Sequence, residues 1–437
     1  MSGEECFEIL DKIFVPKNKQ NIEKIKGYSI KYGNIVDNAG NIIDEVLISY
    51  FKAPKSYTTE NMCEINSHGG NVIVKKILEL CLKNGAELAE PGEFTKRAFL
   101  NGRIDLLQAE SVIDIINAKS EKEAKTGIKQ LEGVLSDEIK GIKQEILDVM
   151  VNIEVSIDYP EYDVEDVTNE QIINMLKRVH ERLNKLEKSF DNGKIIKEGI
   201  KTAIIGRPNV GKSSLLNAIL KEERAIVTEY AGTTRDTIEE FVNINGIPLK
   251  LIDTAGIRET RDAVEKIGIN KSREIADNAD LIIAIFDSSK ELTREDLRIL
   301  DIIKNKKSII ILNKMDLNTV ISEDDVRLNS VSHNIIKISA LNKVGLEELF
   351  DEIAKLFELN EINLDNDVLI SNVRHKNLIS KAMENVKKAQ DTIENCMPLD
   401  VIAIFIKDIL EDLGNITGEI VSEDIINEIF SKFCLGK

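Results

Sequence analysis

The sequence predicts a chain of mixed class: a small α+β domain at the front, a helical bundle, and an α/β domain inserted into that bundle. Three observations carry this. Residues 28–73 alternate apolar and polar positions in short runs broken by the turn signals Asp37-Asn38 and Ala39-Gly40-Asn41, the period of half-buried strands. From about Ile104 to Ser156, and again from about Ser371 to Phe433, the pattern is helical. Between them, the apolar runs Thr202–Ile205, Leu249–Ile252, Ile309–Leu312 and Ile335–Ile338 each end in a polar motif, as strands of a nucleotide-binding sheet do.

Taken in order, the expected divisions are an α+β domain over 1–103, the first part of a helical domain over 104–195, an inserted domain over 196–360, and the second helical part over 361–437. A chain of 437 residues suits two or three domains. In the first helical part Ile128, Leu131, Leu135, Ile139, Ile142, Ile146, Val149 and Ile153 form one apolar stripe at intervals of three and four. Gly127, Gly133 and Gly141 weaken that helix by about 1 kcal/mol each relative to Ala, so tertiary packing must hold it. The acidic run from Asp158 to Asp166 breaks it, and a second amphipathic helix is expected near 169–190. Helices on both sides of the insert could pack as one bundle and pass a conformational signal mechanically.

Composition narrows the setting. Five cysteines (6, 63, 81, 396 and 434) show neither C-x-x-C pairing nor metal-ligand spacing, which suits a reducing cytosol. No apolar run approaches the ~18 residues of a membrane span, and no signal segment opens the chain, so a cytoplasmic protein with no membrane association is expected. A net charge of −18 argues against a broad nucleic-acid-coating surface. Residues 177–207, with nine Lys/Arg against four Asp/Glu, are a local basic stretch that reads first as a solvated helix face.

The chemistry is concentrated in the insert. Residues 206–213, GRPNVGKS, fit G-x-x-x-x-G-K-S after a strand. Their backbone N–H groups can wrap a β-phosphate, Lys212 can bridge β- and γ-phosphates, and the Ser213 hydroxyl can ligate Mg²⁺. Asn313-Lys314-Met315-Asp316 supplies a carboxylate that accepts both N1–H and N2–H₂ of guanine, a pairing adenine cannot match. Ser339-Ala340-Leu341 supplies the last base-side loop. Asp253-Thr254-Ala255-Gly256 can hold Mg²⁺ through water and meet the γ-phosphate, and Ala231–Asp236 contains a Thr able to complete the Mg²⁺ shell. The sequence therefore implies a P-loop (Ras-like) G domain that binds GTP. After the DTAG motif stands Ile257, which cannot orient a water. Hydrolysis needs another group, with Glu259, Asp262 and Glu265 as candidates, and another positive charge, for which Asn209 is a candidate ligand of a monovalent cation. The C-terminal Phe433-Cys434-Leu435-Gly436-Lys437 places a thiol at the fourth position from the end, where burial is difficult and reactivity easy.

These motifs together resemble the MnmE (TrmE) family of tRNA modification GTPases over nearly the whole chain. The matching segments are SYTTENMCEINSHGG (56–70), PGEFTKRAFLNGRIDLLQAE (91–110), IDYPEYDVED (157–166), DTAGIRETRDAVEKIGI (253–269) and the terminal FCLGK. The resemblance implies a cytoplasmic homodimer working with the flavoprotein MnmG (GidA) in a hetero-oligomer, adding an aminomethyl or carboxymethylaminomethyl group to C5 of the wobble uridine of certain tRNAs. It implies GTP, Mg²⁺, K⁺ and a 5-formyl- or methylene-tetrahydrofolate as cofactors. Nucleotide contacts would come from Asn209, Val210, Gly211, Lys212, Ser213 and Ser214; from Thr228, Glu229, Tyr230, Ala231, Gly232, Thr233 and Thr234; from Asp253, Thr254, Ala255 and Gly256; and from Asn313, Lys314, Asp316, Ser339 and Ala340. Ser213 and Thr234 match the Mg²⁺ ligands, while Asn209, Thr228, Tyr230 and Thr233 match the K⁺ surroundings. Glu265 matches the water-activating Glu, Cys434 a Cys proposed to take part in the modification, and Glu64, Arg103 and Lys437 folate-contacting positions.

Two departures stand out. Family members open with a strand of the type DTIAAIATPxGxGAIxIIRxSG, within which this chain starts at Met1-Ser2-Gly3, so an exposed sheet edge and weakened folate binding and dimerisation are expected. Thr59 stands where the family commonly has Gly. The alternatives are a ribosome-assembly GTPase of the Era or Der kind, which would carry a KH domain or a second G domain, and a non-enzymatic nucleotide-gated scaffold. The sequence has neither a GxxG in a basic setting nor a second NKxD.

Overall fold

The structure, a computed structural model, describes residues 1–17, 27–158, 169–222, 240–244, 246–252, 268–327, 334–359 and 368–436. Helix α1 (Cys6–Ile13) leads into strands β1 (Phe14–Pro16), β2 (Tyr28–Val36), β3 (Ile42–Phe51) and β4 (Met62–Asn66), an antiparallel sheet in sequential order. Alternation turns Ile35, Val46, Ile48, Tyr50 and Cys63 inward, onto Leu10 and Ile13 of α1 and Ile77, Leu80 and Cys81 of α2 (Asn71–Lys83). The same alternation leaves Tyr28, Ile30, Tyr32 and Leu47 exposed on the other face. Along β4, Met1–Gly3 pairs with Asn61–Cys63: the Met1 ammonium donates to Cys63 O at 2.8 Å and Gly3 N–H to Asn61 O at 3.0 Å. Among the described residues no strand continues that pairing past Cys63, and β4 is an outer strand of the four-stranded sheet. Thr59, before β4, has φ +63, a left-handed backbone that a β-branched residue adopts only under strain.

The single long stripe expected across Ile128–Ile153 is not one helix. After α3 (Glu93–Leu100), the chain forms α4 (Leu106–Asn117), α5 (Glu121–Leu131) and α6 (Val134–Asp158). Ser120 Oγ accepts from Glu123 N–H at 3.1 Å and the Glu123 carboxylate reaches back to Lys119 N–H at 2.6 Å, a reciprocal cap that starts α5. The chain then turns at Gly133, whose N–H bonds Gln130 O. Ile128, in phase with the stripe, is 47% exposed, whereas Leu135, Ile139, Ile142, Ile146, Met150 and Ile153 of α6 are buried. α7 (Asn169–Glu198) runs eight residues past the expected end.

The central part is a six-stranded sheet in the order β10-β9-β8-β5-β7-β6. Its members are β5 (Ile200–Ile205), followed by α8 (Lys212–Glu222); β6 (Glu240–Ile244) and β7 (Ile247–Leu251), followed by α9 (Gly268–Asp277); β8 (Leu281–Asp287), followed by α10 (Arg294–Ile303); β9 (Ser308–Asn313), followed by α11 (Glu323–Arg327); and β10 (Asn334–Ile338), followed by α12 (Leu346–Leu356). All neighbours are parallel except β6 and β7. β8 and β9 are buried along their whole length, as strands covered by helices on both faces must be. Three helices close the chain, α13 (Val373–Glu394), α14 (Leu399–Thr417) and α15 (Glu423–Ser431). α14 packs along α6, and Lys143 pairs with Glu419 across that seam.

The chain divides into two compact units. One holds 1–113, 130–177 and 381–437; the other holds 114–129 and 178–380. The second is wider than 196–360: Lys197 bonds Asp114 at 2.8 Å and Lys119 lies over the Phe241 ring at 3.8 Å, while the two flanks meet where Ser189 Oγ accepts from Ile370 N–H at 3.1 Å. No helix among the described residues is long and apolar enough to cross a membrane.

Candidate functional site

Parallel strands β5, β8, β9 and β10 send their carboxyl ends to one edge of the sheet, where open α/β sheets bind ligands. The loop 206–213 follows β5, and α8 opens at Lys212, so the first-turn N–H groups of that helix look out of the loop. Gly211 has φ +107, and a Cβ there would lie 2.1 Å from Asn313 Nδ2. Only glycine permits this approach, and it brings the base-side loop against the phosphate loop.

Asn313 uses that proximity. Its Nδ2 donates to Val210 O at 2.8 Å and its Oδ1 accepts from Ala340 N–H at 3.0 Å, so one buried side chain joins three sequence motifs. Asp316 is exposed, with Oδ1 bonded to Ser339 Oγ at 2.6 Å. That contact fixes the carboxylate and leaves it acceptor positions for a base. Lys212 donates to Gly206 O and Arg207 O, both at 2.7 Å, and burial pushes its ammonium below the usual lysine range. Asn209 is exposed with φ +64. The structure thus brings together Asn209, Val210, Gly211, Lys212, Ser213, Ser214, Asn313, Lys314, Asp316, Ser339 and Ala340.

The remaining nucleotide-side residues, Thr228, Glu229, Tyr230, Ala231, Gly232, Thr233, Thr234, Asp253, Thr254, Ala255 and Gly256, lie outside the described residues. So do Ile257, Glu259, Asp262, Glu265 and Lys437.

Sequence reasoning missed a latch on the phosphate loop. Arg207 Nε donates at 2.7 Å to Asp296, which is 1% exposed and also accepts from Thr293 N–H and Oγ at the start of α10. The capping pattern Thr293-x-x-Asp296 was visible; its arginine partner 89 residues away was not.

The candidate folate and thiol positions belong to the other unit. Glu64 is exposed on β4, opposite Ser49 of β3. The Arg103 guanidinium lies 4.4 Å from the Tyr57 ring centroid, and Tyr57 packs against the apolar cluster that includes Phe430 and Phe433. The C-terminus is more ordered than its position suggested. Phe433 is buried with its ring 5.1 Å from Phe430, and Gly92 N–H donates to Cys434 O at 3.3 Å. The Cys434 residue is exposed, but its backbone is anchored.

Known proteins resemble the chain along its whole length. The model described as GTP-binding protein TrmE N-terminus matches residues 1–103, and the MnmE helical domain model matches residues 106–434. Curated proteins called tRNA modification GTPase MnmE align over 100% of this chain and 95% of their own length. The one from Acetivibrio thermocellus is 49% identical, that of Thermoanaerobacter pseudethanolicus 50% and that of Clostridioides difficile 48%. Among solved structures, the G domain of the T. maritima FeoB iron transporter aligns with 36% of this chain and 98% of that chain, at 25% identity and a TM-score of 0.28. With both family models matched and half its residues shared with full-length relatives, the chain belongs to the MnmE (TrmE) family.

Proposed function

We propose that this protein binds and hydrolyses GTP and uses that cycle in tRNA modification, as its relatives' names state of them. The observation that carries the reading is the bridge made by Asn313 between Val210 O and Ala340 N–H, with Asp316 held by Ser339. It ties the Asp316 carboxylate to the loop 206–213, which supports guanine reading beside phosphate binding. The residues fit the ligand: N–H groups at the start of α8 suit phosphate oxygens, Ser213 suits Mg²⁺, and Asp316 suits the two guanine donors. The bound Mg²⁺ would neutralise charge developing on the transferred phosphoryl group.

The finer reading is a homodimer that, with the flavoprotein MnmG, tRNA and a 5-formyl- or methylene-tetrahydrofolate, modifies C5 of wobble uridines in the cytoplasm. Within it Glu265 activates water, K⁺ held by Asn209, Thr228, Tyr230 and Thr233 supplies charge, and Glu64, Arg103 and Lys437 meet the folate. Cys434 takes part in the modification. The domains are those at 1–103, 104–195, 196–360 and 361–437. The exposed apolar row Tyr28, Ile30, Tyr32 and Leu47 supports dimerisation through the first domain, since monomers rarely leave such a face open.

Nucleotide binding and hydrolysis in K⁺ and in Na⁺ test the first layer. We expect GTP over ATP by orders of magnitude and hydrolysis slower by roughly 10²-fold in Na⁺, the range one charge-stabilising group supplies. Equal affinity for the two nucleotides would refute guanine reading; equal rates in both salts would refute the cation. Mass spectrometry of wobble uridines from cells lacking the gene tests the second layer, and unchanged nucleosides would refute it.

A further inference from the structure

Asp287 closes β8, the strand between those carrying the phosphate loop and the base-side loop. It is 2% exposed and belongs to none of the motifs above. Its Oδ1 accepts from Ser289 N–H at 3.1 Å and Ser289 Oγ at 2.6 Å, and its Oδ2 accepts from Lys314 Nζ at 2.6 Å. The same Lys314 ammonium donates to the carbonyl of Asn209 at 2.8 Å. Lys314 and Asn209 both have left-handed backbones, φ +66 and +64, which each costs energy unless its surroundings impose it. A relay therefore runs from a buried carboxylate through an ammonium to the strained residue of the phosphate loop. The neighbouring backbone adds to it: Ser288 N–H donates to Asn313 O at 2.9 Å, and Ser288 O accepts from Val320 N–H at 2.7 Å. Burial alone would raise the Asp287 carboxyl, but the bonds from Lys314 and Ser289 outweigh it and hold it below the usual carboxylate range. The group is thus charged where Lys314 needs a counter-charge.

We propose that Asp287 is a positioning residue for guanine-nucleotide binding: through Lys314 it fixes the Asn209 carbonyl and so sets the phosphate loop and the base-side loop in one mutual geometry. The proposal rests on the nucleotide reading above and goes beyond it, because Asp287 is buried, bonds only Ser289 and Lys314 in the bonds given above, and belongs to none of the nucleotide motifs. It acts on retention of nucleotide, whereas groups that meet the reacting phosphate act on turnover.

The test uses the full-length protein and a fluorescent N-methylanthraniloyl-GDP as probe. Asp287→Asn keeps the shape and removes the charge. It is expected to speed release of the probe about tenfold, the scale of losing one charge-assisted hydrogen bond, and to raise KM for GTP similarly with kcat within about threefold. Lys314→Met tests the same link from its better exposed end, where the side chain is 28% exposed, and should release the probe at least as fast. The double variant should be no faster than Lys314→Met alone, since the two act as one link. Thermal melting checks that each variant is folded; should Asp287→Asn fail to fold, Ser289→Ala, which removes the 2.6 Å bond from Ser289 Oγ to the Asp287 carboxylate and touches neither loop, takes its place. Release from a folded single variant within twofold of the parent, or multiplying effects in the double, would overturn the proposal. If the parent protein itself fails to bind the probe, it is the nucleotide reading that falls, and the proposal with it.

Discussion

Gly92→Ala is a single methyl group aimed at the anchor of the C-terminal motif. Gly92 precedes α3 with φ +70, and a Cβ there would stand 2.8 Å from Phe430 O and 2.8 Å from Phe433 Cβ. The left-handed backbone costs an alanine about 1–2 kcal/mol. The overlap with a backbone oxygen cannot be relieved by a rotamer change, so α15 or Phe433 must move. Releasing the buried Phe433 ring forfeits about 1.5–3 kcal/mol. Together these weaken docking of the segment after α15 by roughly 3 kcal/mol, about a hundredfold in its open population. Hydrogen exchange read by mass spectrometry checks this: the Phe433 amide, bonded to Phe430 O at 3.0 Å, should exchange about a hundredfold faster while the six-stranded sheet keeps its protection. Under the proposed function, GTP hydrolysis should stay near the parent and wobble-uridine modification should fall, because Cys434 has lost its backbone anchor. Protection of the Phe433 amide within about threefold of the parent would refute the reasoning, since it would mean the site absorbs a methyl group that the geometry says it cannot.

Three further outcomes follow from other sites. Thr59→Gly should raise the stability of the first domain by about 0.5–1 kcal/mol, by removing the cost of a β-branched residue at φ +63; an unchanged or lowered denaturation midpoint would count against strain there. Burial pushes Glu123 up to about 7 from 4.5, so the folded state holds a proton that the unfolded state releases. That contribution is complete below pH 4.5 and lost as pH rises through about 7. Glu123→Gln, which cannot ionise, should therefore melt a few degrees above the parent near pH ~8 and match it near pH ~5, and the same difference at both would contradict the assignment. Asp316→Asn should shift preference from GTP toward xanthosine triphosphate, as a carboxamide offers a donor to the 2-oxo group; GTP affinity equal to the parent's would show that the loop does not read the base.

The motifs that end β5, β9 and β10 are legible in the sequence because each is local: a strand followed at once by the residues that its end presents. The sheet needed little more, since runs such as Ile309–Leu312 are too apolar for anything but a strand covered on both sides. Periodicity misled where chemistry lay between the apolar residues. Ile128, Leu131 and Leu135 keep a helical phase across Gly133, so the stripe concealed a turn; the cap at Ser120 and Glu123 would have marked where α5 begins. Contacts between residues far apart in the chain left no trace in any window. Arg207 with Asp296 and Gly92 with Cys434 are examples, and a local pattern records no partner at that range.

The carbonyl groups explain why the phosphate loop and the base-side loop act as one site. Gly206 O and Arg207 O are held by Lys212, Asn209 O by Lys314 and Val210 O by Asn313. A peptide plane whose oxygen is fixed has the N–H of the next residue fixed as well, so the Arg207, Val210 and Gly211 donors are set before any anion arrives (Pro208, after Arg207, has none), and binding then costs little reorganisation. Two of those four carbonyls are held from the base-side motif. A change in that motif must therefore be felt in the loop 206–213, and under the proposed function a nucleotide's two ends would meet one shared framework of hydrogen bonds instead of independent pockets.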